Sequence, residues 1–213
     1  ITVILGSIMR LTSCKTLTIL CSFFSEADAA NAIRKALIIG TNFGANSLGQ
    51  NGSFSRDILL NAILHQEAQK VVQTLDMLGL ATEFNRFANT LDNAAVDAVR
   101  QSAPIFVSGI RRMSISDAIN IVKNGGTSAT DYLRRMVGDE LRTAVRPVMR
   151  TALDQYSIEQ QWDKLISPVK VLLGSKAGLN LNLDNVLAVM ITNEMFSRIQ
   201  QQEIAIRTDA RAR

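Results

Sequence analysis

The sequence predicts an all-α fold, a single bundle-like domain of about seven or eight helices. From Ser25 onward apolar residues recur at helical spacing almost throughout. Glycines and Ser, Thr or Asp punctuate these stretches where helix ends are expected. No alternation of apolar and polar residues, the mark of a half-buried strand, competes with them in length.

Ser25, with Asp28 three residues on, has the pattern of an N-cap and a capping-box variant. It opens a helix expected over 26–39 and ended by Gly40. Gly44, Gly49 and Gly52, among Asn46, Gln50, Asn51 and Ser53, then predict a loop. Residues 58–64 are apolar and fit either element type. A helix over 66–78, with Val71, Val72, Leu75 and Leu78 on one side, is closed by Gly79. The clearest amphipathic stretch is 81–102, where Phe84, Phe87, Ala88, Leu91, Ala95, Ala98 and Ser102 share a face. Pro104 suits the first position of a separate helix over 104–112.

Ser114 and Asp117 predict the cap of a helix over 115–123, closed by Gly125-Gly126. Thr127 or Ser128 would cap a long helix over 129–153, with Leu133, Met136, Val137, Leu141, Ala144, Val145 and Val148 as its apolar stripe. Pro147 inside it predicts a kink or break over 143–146. Ser157 with Gln160 predicts a capping box for 158–166, where Trp162 shares a face with Leu165, Ile166 and Val169. After a loop over 174–182, Asp184 would cap a last helix to about Arg207, with Leu187, Met190, Ile191, Phe196, Ile199 and Ile206 inward.

Composition bounds the function. With 213 residues, 47% apolar and 20% charged, the chain can bury a sizeable core. Collagen-like, disulfide-rich and wholly disordered chains are excluded. The net charge of +4 is mild for a nucleic-acid binder. The two cysteines, Cys14 and Cys21, form no CxxC pair, and His65 is the only histidine, so neither a structural zinc site nor a His-rich centre is expected. Residues 1–24 stand apart from the rest. One reading is a basic region over 9–15 followed by a short apolar core over 17–24. Another places the apolar core over 1–9 and a lipobox-like Leu11-Thr12-Ser13-Cys14, with Cys14 lipidated; Arg10 is unusual there. An ordinary buried segment is the third. The expected division is thus a leader-like or unstructured 1–24 and one helical domain over 25–213.

A family resemblance sharpens this picture. Ala103-Pro104-Ile105-Phe106-Val107 is followed by Ile110-Arg111-Arg112-Met113-Ser114-Ile115-Ser116-Asp117-Ala118 and by Ile121-Val122-Lys123-Asn124-Gly125-Gly126. With Ala129-Thr130-Asp131-Tyr132-Leu133-Arg134, this run resembles the bacterial family called domain of unknown function 4197. Ser25-Glu26-Ala27-Asp28-Ala29 resembles its opening helix, Glu67-Ala68-Gln69-Lys70-Val71 its second block, and Glu203 with Ile206-Arg207 and Asp209 its closing motif. The chain departs from the pattern at Val96, at Asn185-Val186-Leu187-Ala188, and at Gln200-Gln201-Gln202, which replaces most of an acidic cluster. The resemblance implies an all-α fold and, commonly, export to the periplasm or a lipid anchor. It implies no reaction.

Each candidate for chemistry has a plainer competitor. Asp117 could act as a catalytic carboxylate, but a helix cap explains it more simply. Gly125-Gly126-Thr127-Ser128 could cradle phosphate, yet lacks a P-loop pattern and a preceding strand. Arg135, Arg142, Arg146 and Arg150 fall near one helix face, where Asp139 offers intrahelical pairing. That face could meet an anionic membrane surface; nucleic acid is not expected, because no stacking aromatics accompany the arginines. Six of the seven methionines, Met77, Met113, Met136, Met149, Met190 and Met195, suit core filling.

The leading expectation is a non-enzymatic envelope protein, periplasmic or lipid-anchored with secretion as the alternative, binding a partner protein or a hydrophobic ligand and needing no cofactor. One rival is an enzyme with a polar pocket around Asp117, Arg134 and Glu203. Another is a membrane-surface module using the arginine face. The residues assigned to a ligand or partner surface are Arg112, Asp117, Arg134, Arg135, Arg142, Arg146, Glu203 and Arg207.

Overall fold

A computed structural model describes residues 25–64, 68–116, 118–174 and 182–208. Among them are eight helices and no strand: α1 (Glu26–Leu48), α2 (Arg56–Leu64), α3 (Ala68–Met77), α4 (Ala81–Arg112), α5 (Ala118–Asn124), α6 (Ser128–Gln155), α7 (Ile158–Leu173) and α8 (Leu183–Thr208). The all-α expectation holds. Residues 1–24, His65 and Asp117 lie outside the described residues.

Helix α8 lies along both α1 and α6, so the first and last of the described helices are neighbours. Helix α4 packs against α6 and α1, while α2, α3 and α7 cover other parts of α4. Short α5 sits between α1 and α6, which barely touch each other directly. One continuous apolar core runs from Ala29 to Ile199. Phe106 meets Phe196 edge-on at 5.6 Å, and Phe87 tilts against Trp162 at 5.5 Å.

The capping box at Ser25 is present: the Asp28 backbone N–H donates to Ser25 Oγ at 3.1 Å, and the Ser25 N–H to the Asp28 carboxylate at 3.3 Å. The end expected at Gly40 is not. Helix α1 continues through Gly40 and Gly44 to Leu48. Both glycines face α8 at close range. A Cβ on Gly40 would lie 3.2 Å from the Ile199 Cα, and one on Gly44 would lie 3.1 Å from the Arg198 Cβ. They permit a close helix crossing rather than a stop. The loop that follows is held by Asp92 of α4, whose carboxylate accepts the N–H groups of Gly52 at 2.6 Å and Phe54 at 2.9 Å.

Three further boundaries differ from expectation, and each time a helix runs through a proline. Helix α4 is one 32-residue helix, not two meeting at Pro104. Pro104 is exposed, and Ser102, Phe106 and Ile110 continue the buried face across it. Helix α6 is unbroken through exposed Pro147, and α7 passes Pro168 to reach Leu173. A proline on the solvent side leaves its orphaned carbonyl accessible to water, so packing of the opposite face prevails over the lost hydrogen bond.

The expected caps were also displaced. Ser114 opens no helix; Met113 to Ser116 are non-helical and α5 starts at Ala118. The Tyr132 hydroxyl donates to the Ser114 carbonyl at 2.9 Å and accepts the Ser116 N–H at 3.2 Å. Neither Thr127 nor Ser157 makes a side-chain cap. Ser157 is left-handed at φ 53°, and Gln161, not Gln160, reaches back to the Tyr156 carbonyl at 2.7 Å. Asp184 lies inside the first turn of α8 rather than before it.

The apolar faces are closer to expectation. The face of α4 from Phe84 to Ser102, and Trp162, Leu165, Ile166 and Val169 of α7, are buried. Leu187, Met190, Ile191, Phe196 and Ile199 of α8 are buried, with Ile206 half-buried. On α6, Met136 is 52% exposed, and Gly138, Met149, Ala152 and Leu153 complete the stripe instead. Met113, Met149, Met190 and Met195 are core residues; Met77 and Met136 are on the surface.

Candidate functional site

The polar side chains of this fold converge at helix ends. Glu203 of α8 is buried at the start of α6. Its carboxylate accepts the N–H groups of Ala129 at 3.0 Å and Thr130 at 2.8 Å, and the Thr130 hydroxyl at 2.6 Å. It thus supplies, from another helix, the cap that Thr127 does not provide. Arg207, one turn on, donates to Glu203 at 2.8 Å, to the Ser128 hydroxyl at 3.2 Å and to the Val122 carbonyl at 3.3 Å. Glu26 of α1 does the same for α5, accepting the N–H of Ala118.

A second node lies at the start of α8. Buried Asp184 accepts from Arg146 at 3.1 Å and from Arg150 Nε at 2.9 Å. Burial alone would raise the Asp184 pKa, but the hydrogen bonds from Arg150 and Arg146, with their charges, outweigh it and hold the carboxyl below its ordinary value. Through the same hydrogen bond Arg150 is held above its usual range. At a third node Tyr156 donates to Asp97 at 2.7 Å, which raises the phenol's pKa, helped by desolvation and the Asp97 charge. Arg100 beside it donates to the Gly49 carbonyl at 2.8 Å, at the end of α1.

The remaining assigned residues are dispersed. Arg112 binds Glu140 and the Ser108 hydroxyl, tying α4 to α6. Arg134 lies over the Phe196 ring at 5.2 Å and 3.5 Å from Asp131. Arg135 lies over Tyr132 at 5.8 Å. Arg142 pairs with Asp139, the intrahelical pairing expected from their spacing. The structure therefore joins Glu203 with Arg207, and Arg146 with Arg150. It gives Arg134 different partners from Glu203, and Asp117 and Cys14 lie outside the described residues. Sequence reasoning missed Glu26, Asp92, Asp97 and Tyr156, and took Asp184 for a cap. Only the i,i+4 spacing of Glu203 and Arg207 carried a local signal. Among the described residues no group of three or more His, Cys, Asp or Glu is placed to hold a metal ion.

Three of the four stretches of the resemblance meet here: Glu26 from the opening, Ser114 to Tyr132 from the centre, Glu203 and Arg207 from the close. A family model described as "Protein of unknown function (DUF4197)" matches residues 24–213. The chain belongs to the DUF4197 family. No curated protein and no solved structure matches it. In this DUF4197 chain the motif residues fasten α5 and the first turn of α6 to α1 and α8.

Other surface features are apolar. On the outer side of α1, Ile39 and Phe43 are 48% and 44% exposed, one turn apart. Ala32, exposed, and Ala36, half-buried, extend the same line toward the helix start. Their spacing, four, three and four residues, is that of a coiled-coil seam. Among the described residues no helix is long and apolar enough to cross a membrane.

Proposed function

We propose that this DUF4197 protein is a non-enzymatic helical protein of the cell envelope that binds a partner protein through the outer face of α1. The exposed seam of Ala32, Ala36, Ile39 and Phe43 is the observation that carries this reading. The inner face of the same helix is already spent on the core through Ile33, Leu37, Gly40 and Gly44. A convex helical stripe fits another helix better than it fits a small hydrophobic ligand, which needs a concave site. The polar groups support the same choice. Glu203, Asp184, Asp92 and Asp97 are each engaged in holding helices together. Arg142, Arg146 and Arg150 are paired with aspartates, which weakens the case for an anionic membrane surface. The apolar character of residues 1–24 supports export.

The test is site-specific photo-crosslinking in the native cell. A benzophenone amino acid replacing Asn42, exposed beside the seam, is expected to trap a discrete protein product. The same group replacing Lys164, exposed on α7, is the control. Identical patterns from both positions would overturn the reading. Fractionation with intact-mass measurement checks the envelope location and any lipid on Cys14.

A further inference from the structure

Resting on that reading, we propose that the occupant of the α1 seam is a second copy of this chain, packed antiparallel about a two-fold axis near Leu37–Ile38. Three observations lead there. First, the seam is self-complementary in size. With the axis between Ala36 and Ile39, Phe43 of one copy meets Ala32 of the other, and Ile39 meets Ala36. Large side chains face small ones at every level, so the helices approach closely without overlap. A parallel arrangement would set Phe43 on Phe43 and Ala32 on Ala32, crowded at one end and empty at the other.

Second, the rims match in charge. One edge of the seam is closed by the domain itself, through Ile33 and Gly40. The other carries Asp28, Lys35 and Asn42, all exposed. Antiparallel pairing brings Asp28 of one copy to the Gly49 end of α1 in the other. There Arg100, its side chain 56% exposed, is held by its hydrogen bond to the Gly49 carbonyl and lies 3.4 Å from Asp97 of its own helix, with the rest of the guanidinium open to solvent. Two symmetric Asp28–Arg100 pairs result, and Lys35 lies opposite Asn42 rather than another cation. Third, the size of the contact is bounded. Two helices of 23 residues paired along one seam bury on the order of 1,000 Å² in total, near the lower limit for a specific interface. The pairing is therefore a weak, reversible, isologous dimer.

Sedimentation velocity of the full chain, from low micromolar to near-millimolar concentration, tests this with two variants. Ala36→Lys and Ile39→Glu each place a charge in the seam, and each alone is expected to weaken self-association at least about thirtyfold. Mixed together they are expected to restore the dimer, because only the antiparallel register sets the ammonium introduced by A36K against the carboxylate introduced by I39E. Circular dichroism and the fluorescence of the single tryptophan, Trp162, verify that both variants fold. A monomeric wild type at the highest concentration, or variants that dimerise as the wild type does, overturns the proposal. The Asn42 crosslink separates the two readings. A product of twice the chain's own mass supports self-pairing. A product of another mass overturns self-pairing and leaves partner binding standing. No product overturns both.

Discussion

The Glu203 carboxylate lies 2.8 Å from the backbone nitrogen of Thr130 and 2.6 Å from its hydroxyl, so a residue of the last helix starts the sixth. Glu203→Ala leaves two buried N–H groups without their acceptor and removes the carboxylate that pairs with Arg207. The expected loss is about 3 kcal/mol. Glu203→Gln keeps one acceptor oxygen and is expected to lose about half as much. Urea unfolding followed by Trp162 fluorescence measures both.

Asp184 predicts an acid-dependent step. Its pKa is depressed in the folded protein, so its contribution is present above the unfolded-state value of 3.8 and is lost as pH falls through the folded one. In Asp184→Asn the stability curve is expected to be lower at neutral pH and flatter below about pH 4. Equal slopes for variant and wild type in that window would show that the two arginines do not hold the carboxylate.

Tyr156 predicts an alkaline step. Its phenol is held above the ordinary tyrosine value of 10.0, first by the hydrogen bond to Asp97. The stability this gives is present below that value and is lost as pH rises through the folded pKa. Spectrophotometric titration is expected to show phenolate forming late, and Tyr156→Phe to remove that late portion of the rise.

Two glycines predict opposite signs for one substitution. Gly138→Ala meets only ordinary contacts, 3.7 Å to the Arg134 side chain and 3.8 Å to Phe196. It is expected to stabilise α6 by about 0.5–1 kcal/mol through helix propensity. Gly40→Ala meets the Ile199 backbone at 3.2 Å, which a rotamer change cannot relieve. It is expected to cost about 1–3 kcal/mol net of the same gain. Thermal unfolding of the pair decides.

The periodicity of the sequence announced the helices and most of their buried faces because side-chain burial follows spacing directly. The face from Phe84 to Ser102 needs only the 3.6-residue repeat. Helix ends were less legible. Gly40 and Pro104 look like punctuation locally, but their meaning depends on what lies opposite: Ile199 for the glycine, solvent for the proline. The polar nodes were nearly invisible for the same reason. Glu203 accepts from Ala129, 74 positions before it in the chain, and Asp184 anchors arginines on α6. A local motif such as Ser114 with Asp117 offered a nearer cap, and the Tyr132 hydroxyl took Ser114 instead.

The pairing of α1 with α8 has a bearing on timing. Ile33, Leu37, Gly40 and Gly44 face inward, and the nearest neighbours of Gly40 and Gly44 are Ile199, Arg198 and Met195 of α8. The contacts of α1 with α4 and α5 join residues nearer in the chain, whereas its seam with α8 must bring together segments from opposite ends of the described fold. Such a closure costs chain entropy before its contacts form, and it makes the α1–α8 seam a slow, non-local step of folding.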